Sequence, residues 1–193
     1  MDQVCLIPLT APCLLSVPSG EAMTESRYAS RFRYLDAADV DDAVVNFEGL
    51  TVLGADGERI GDVEGFVVDA CAERVNHIVV DSGEWFDSPR LLLPVGHATV
   101  SSDRKSLRTD VSRTALRYLP EFEADRFCEF TDEELHAFER NTVIACCPDQ
   151  PLEAVSEPTW GYECWGHYRQ PEWWRMDRYA PERLQSLATI LAA

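Results

Sequence analysis

Three things are scarce in this chain of 193 residues: positive charge, regularly spaced cysteine and long apolar runs. Lysine and arginine number 17 against 34 aspartates and glutamates, a formal net charge of −17. A surface of that sign repels polyanions, which disfavours nucleic acid and anionic lipid as partners and leaves a basic protein surface compatible. The seven cysteines (Cys5, Cys13, Cys71, Cys128, Cys146, Cys147, Cys164) are odd in number and irregular in spacing. That argues against a secreted disulfide framework and for reduced thiols in a cytoplasmic protein. No segment is long and apolar enough to insert in a bilayer. Residues Cys5–Val17 are apolar, but prolines 8 and 12 interrupt them and no basic residue precedes them, so they do not read as a signal sequence. Residues 1–22 are expected to be unstructured, with Met23 as the natural start.

Catalytic equipment is missing as well. There is no G-x-S-x-G elbow, and no cysteine carries a recognisable local signature. Gly54, Gly57 and Gly61 superficially suggest a phosphate loop, but they lead into a strand instead of a helix and hold Asp56 and Glu58. Asp62 and Glu64 share a strand face, as expected of a solvated surface in so acidic a chain. His77 and His97 could carry protons near neutrality; hydrogen-bonded structural histidines are the preferred reading. No catalytic residue, cofactor or metal is therefore expected. The one soft-metal set worth naming is Cys146, Cys147, Cys164 and His167, in which Cys164-x-x-His167 has usable spacing and the adjacent cysteine pair does not.

What is present is a core. Hydrophobic residues make up 46% of the chain, and five are tryptophans. Short strands alternate with tight turns from Phe47 to Pro120, predicting the pairs 47–53 with 60–69, 75–82 with 90–95, and 97–101 with 106–111. Asp56-Gly57 is a hairpin signal, because such turns need positive φ. Alternation along 60–69 places Val63 with Val67 on one face and Phe66 with Val68 on the other. Gly61 and Gly65 predict close backbone approach or a bend, and Pro94 predicts a strand end or edge. Residues 113–119 predict a short helix stopped by Pro120. Thr131-Asp-Glu-Glu134 predicts a capped helix with Leu135 and Phe138 on one face. Residues 145–158 read as a proline-rich linker, and Pro181 opens a last helix bearing Leu184, Leu187, Ala188 and Leu191. Residues 1–46 read as a largely disordered lead-in, with at most one helical turn within 23–46. The remaining 121–193 form an acidic, partly helical extension.

The ordered pieces Ala55-Asp-Gly57, Ile60-Gly-Asp-Val63, Val67-Val-Asp69, Ile78-Val-Val-Asp81 and Leu93-Pro-Val95 resemble the PRC-barrel family, named for the cytoplasmic domain of the photosynthetic reaction centre H subunit. The resemblance covers 47–120 and implies a mainly β fold, a small six-stranded PRC-type β-barrel with short helical C-terminal extensions. It implies an assembly module, such as one that caps the quinone side of a reaction centre or docks a ribosome-maturation factor onto a ribosomal protein. The chain departs from relatives at Gly83-Glu-Trp-Phe-Asp87, where many have a glycine-rich loop.

Residues 160–179 hold four tryptophans and three tyrosines. Such aromatics either complete a core or form an interface. Trp160, Trp165, Tyr168, Trp173 and Trp174 are accordingly the candidate interaction surface, with wrapping of the barrel as the equal alternative. The resulting expectation is a non-enzymatic binding or assembly module with a protein partner, able to self-associate. The alternatives are an accessory to a photosynthetic or electron-transfer membrane complex, or a metal- or redox-responsive protein using its C-terminal thiols.

Overall fold

A computed structural model describes residues 32–40, 45–70, 72–83, 90–120, 122, 126–127, 130–147, 166–174 and 184. Its strands are β1 (Phe32–Asp36), β2 (Thr51–Leu53), β3 (Arg59–Asp69), β4 (Arg74–Asp81), β5 (Arg90–Pro94), β6 (Ala98–Val100) and β7 (Ser106–Thr109). The α-helices described over their whole length are α1 (Arg113–Leu116) and α2 (Asp132–Cys146). The fold is mainly β, and the three predicted strand pairs are present as β2–β3, β4–β5 and β6–β7. Gly57 takes φ +79° in the β2–β3 turn, as an Asp-Gly hairpin requires.

The sheet runs β5-β4-β3-β2-β7-β6, and β1 pairs with the far half of β3. The described residues form a seven-stranded sheet in which no ladder joins β5 to β6, so it is not closed into the expected six-stranded barrel. The two ends of the path are nevertheless consecutive in sequence, linked by one 3-10 turn at Val95–His97, which forces the sheet to curl. Past Pro94, the next partner of β4 is the side chain of Gln170. Its Nε2 donates to the Val75 carbonyl at 2.8 Å, and the Val75 N–H donates to its Oε1 at 3.1 Å. A side-chain amide therefore stands where another strand residue would pair.

Residues 32–39, expected to be part of an unstructured lead-in, form β1 and a 3-10 turn instead. Acidic neighbours obscured the apolar alternation of the segment. Phe32 and Tyr34 reach one core cluster and Leu35 the other.

Curling gives the sheet two buried faces. Inside lie Leu35, Phe47, Val52, Phe66, Ile78, Leu93 and their neighbours. Outside, Val67, Val79 and Leu92 are covered by Phe127, Leu135 and Phe138. Each such side chain contributes about 1.5–3 kcal/mol of burial, which is why β3, β4 and β5 read as nearly continuous apolar runs.

Val63 joins Phe66 and Val68, and not Val67 as simple alternation predicted. The cause is a bulge. Val63 pairs with Val80 and Gly65 with Val79, so Glu64 is an extra residue that reverses the strand's parity. Arg90 holds the bulge by donating from Nε and Nη2 to the Glu64 carboxylate at 2.7–3.0 Å, and the Tyr34 hydroxyl donates to the Glu64 carbonyl at 3.0 Å. Asp62 pairs with Arg59 and accepts from Thr51 Oγ1. The two carboxylates are thus fixed by ion pairs.

Helix α2 starts as predicted, with Thr131 and Glu134 forming both bonds of a capping box. It runs on through Ala145 and Cys146, which were assigned to the linker, and stops at Cys147, where Pro148 disfavours helical geometry. The rest of the predicted linker and all of the last helix except Leu184 lie outside the described residues.

Gly61 and Gly65 are close-approach positions. A Cβ at Gly61 would overlap the Asp81 carbonyl, and one at Gly65 would overlap the Tyr34 ring. Gly61→Ala is expected to cost about 1–3 kcal/mol or more, read as a lower urea midpoint, because its obstacle is backbone.

His77, fully buried in β4, is neutral: burial first, and then the nearby His167, push its pKa down to about 3. The unfolded chain gains this proton near pH 6.5, and the folded chain gains it only near pH 3, so stability falls as pH drops through that window. His77→Gln is expected to remove up to about 1.4 kcal/mol per pH unit from that loss. Urea unfolding of both proteins at about pH 6 and about pH 4.5 checks this; equal slopes would refute it.

Candidate functional site

The chain returns to the curled sheet at residues 166–174. Gly96 of the β5–β6 turn donates its N–H to the His167 carbonyl at 2.6 Å, and a Cβ on Gly96 would overlap the Gly166 carbonyl. Glycine is required here because two backbones meet. Arg74 adds a bond from Nη2 to the Tyr168 carbonyl at 2.9 Å.

Of the five candidate interface aromatics, Trp160 and Trp165 lie outside the described residues. Tyr168 and Trp174 are buried, and Trp173 is half-buried. Trp173 packs 5.1 Å from Phe47 and 5.8 Å from Phe66, and Trp174 lies 5.9 Å from Phe66, between ring centroids. The Tyr168 ring meets His77 edge-on at 5.4 Å. Tyr168 and Trp174 are part of the core, while half-buried Trp173 packs against it and keeps part of its surface on a groove beside β6.

The docked segment brings titratable groups together. His97, at the end of the 3-10 turn, sets Nδ1 2.7 Å from Asp110 Oδ1. Its Nε2 faces His167 Nδ1 at 2.8 Å in a buried contact. Cys147, the C-cap of α2, completes the group: one ligand atom each from His97, Cys147 and His167 lies within 4.8 Å of the others. Burial, and then His97, push His167 down to about 4, opposed by Asp110. Burial and Asp110 push the Cys147 thiol up, which is opposite to the shift of an activated nucleophile.

The sequence named Cys147 and His167 together, and both are here. Cys146 is held apart against the core, its thiol pushed well up by burial, and Cys164 lies outside the described residues. His97 was singled out for another role, and Asp110 was missed. The β6–β7 hairpin carried the signal: Ala98 pairs with Thr109, which sets His97 beside Asp110.

A second feature is a groove of about 680 Å³ between β6 and residues 169–173. Val45, Val100, Pro171 and Trp173 give it apolar walls, and Arg104 and Arg169 stand on its lining. Neither guanidinium is ion-paired among the described residues, although Arg59, Arg90 and Arg113 are. β6 ends the strand path, so among the described residues no strand pairs with its outer edge, beside the groove.

These features define a small, strongly curled β domain sealed by a returning aromatic segment. Residues 39–116 match the PRC-barrel domain family, and the chain carries a PRC-barrel domain. An 86-residue stretch is 29% identical to an uncharacterized protein of Deinococcus radiodurans, covering 45% of this chain and 31% of that one. The chain thus matches about a third of its relative's length. β1, α2 and the returning segment lie outside the family match, as do Cys147 and His167. Among the described residues no helix is long and apolar enough to cross a membrane.

Gly96→Ala is expected to lift residues 166–174 off the sheet. The check is tryptophan fluorescence, which should shift to the red as Trp173 and Trp174 meet water; an unchanged spectrum would contradict the docking described.

Proposed function

We propose that the chain is a non-enzymatic docking protein whose PRC-barrel domain receives an extended segment of another protein in the groove beside β6. The groove carries this reading, since it adjoins a strand edge that no described strand pairs with. Such edges accept an added strand through main-chain hydrogen bonds, while side-chain pockets choose the sequence. Arg104 and Arg169 make this a locally basic strip on an acidic chain, with Glu172 as the single acid of the lining. The occupant this favours has apolar residues for Val100, Pro171 and Trp173 and a carboxylate for the arginines. The raised pKa of the Cys147 thiol argues against that residue as a nucleophile. An accessory role in a membrane complex rests on family likeness alone, and the groove adds nothing to it.

A photo-crosslinking residue at Thr99, exposed on β6, tests the docking. Expressed in its native cell, this variant should capture a partner that the same probe at exposed Tyr118, away from the groove, does not. Arg104→Glu with Arg169→Glu should abolish the adduct. Equal capture from both positions, or adducts with a second copy of the chain alone, would overturn the assignment.

A further inference from the structure

We propose that His97 Nε2, His167 Nδ1 and Cys147 Sγ form a binding site for one zinc-class divalent ion, with Asp110 as the carboxylate behind His97. This site is independent of the docking groove. Three segments of the chain, each fixed by separate forces, deliver the ligands: the 3-10 turn between β5 and β6, the end of α2, and the returning segment locked by Gly96 and Gln170. Convergence of two imidazoles and a thiol from such distant positions gives the mixed nitrogen and sulfur set that suits zinc.

The dimensions fit. Zinc–nitrogen bonds of about 2.0–2.1 Å at tetrahedral angles place two nitrogens about 3.3 Å apart, and a nitrogen and a sulfur about 3.6 Å apart. The two imidazole nitrogens stand at 2.8 Å, and one ligand atom from each of the three residues lies within 4.8 Å of the others. Parting the rings by about half an ångström opens the space an ion needs. The proton between the rings and the thiol proton leave on binding, and the fourth position falls to water.

Asp110 adds a feature that a merely packed histidine pair does not need. Metal-binding histidines typically donate their second ring N–H to a carboxylate, which fixes the tautomer and makes the ligating nitrogen more basic. His97 has this arrangement, with Nδ1 on Asp110 and Nε2 turned to the site. Because Asp110 is 72% exposed, it can be changed without cutting into the core.

Cobalt(II) titration of the untagged, reduced full chain, purified without chelators, is the test. One equivalent should bind with a tetrahedral visible spectrum and a thiolate-to-cobalt charge-transfer band, and zinc should displace it. Cys147→Ser should remove the band, while Cys146→Ser and Cys164→Ser keep it. Asp110→Asn should weaken binding by about 10–100-fold with the fold intact by circular dichroism. Zinc should also raise the thermal midpoint of the natural chain as its concentration rises, because it binds the folded form. Absence of stoichiometric cobalt binding, or a band that survives Cys147→Ser or vanishes with Cys164→Ser, would overturn the proposal.

Discussion

Everything in this molecule is arranged around the bulge at Glu64. β3 is eleven residues long and carries partners on both edges: β4 along one, β2 and then β1 along the other. Without an extra residue, one such strand would keep its two halves facing the same way. With it, the strand changes face midway, so that Val63, Phe66 and Val68 serve the interior while Val67 turns to α2. Arg90, reaching across from β5 beyond β4, and Tyr34, from neighbouring β1, grip the bulge, and Gly61 and Gly65 clear the space on either side of it. The curl that follows brings β5 and β6 to the two sides of one seam.

That seam is where the parts outside the family match acquire meaning. A sheet left open between β5 and β6 would expose Phe47 and Phe66 to water. Residues 166–174 supply the cover and substitute a glutamine amide for a missing strand residue. The same docking sets His167 beside His97 and near Cys147. Structural closure and the meeting of His97 with His167 thus both follow from the docking of residues 166–174.

Much of this was legible in the sequence, for reasons that can be named. Hairpins are local, so turn glycines and alternating apolar residues disclosed β2 through β7. The capping box disclosed the start of α2. Parity could not be read past Glu64, because a bulge leaves no compositional trace. β1 was hidden for a similar reason, its apolar residues being diluted by arginine and aspartate in a segment whose partner lies about 30 residues on. In the cluster, Cys147 and His167 were named within one four-residue soft-metal set whose only usable spacing was Cys164-x-x-His167, and nothing local could draw in His97 from 70 residues away. His97 and Asp110 were within reach, since they oppose each other across a hairpin that was itself recognised. The aromatic segment looked equally suited to core or interface, and only its contacts with Phe47 and Phe66 distinguish the two.

The long loop from Phe66 to Trp174 also dictates an order of events at birth. A ribosome adding roughly 5–20 residues per second needs about 5–20 seconds to travel the roughly 100 residues between them. Throughout that interval the strands can assemble while the aromatic face of the nascent domain stays bare, and such uncovered surface is what chaperones bind. The tail is therefore a late-arriving lid on a half-finished vessel, and the speed of translation through residues 70–165 sets how long that vessel stands open.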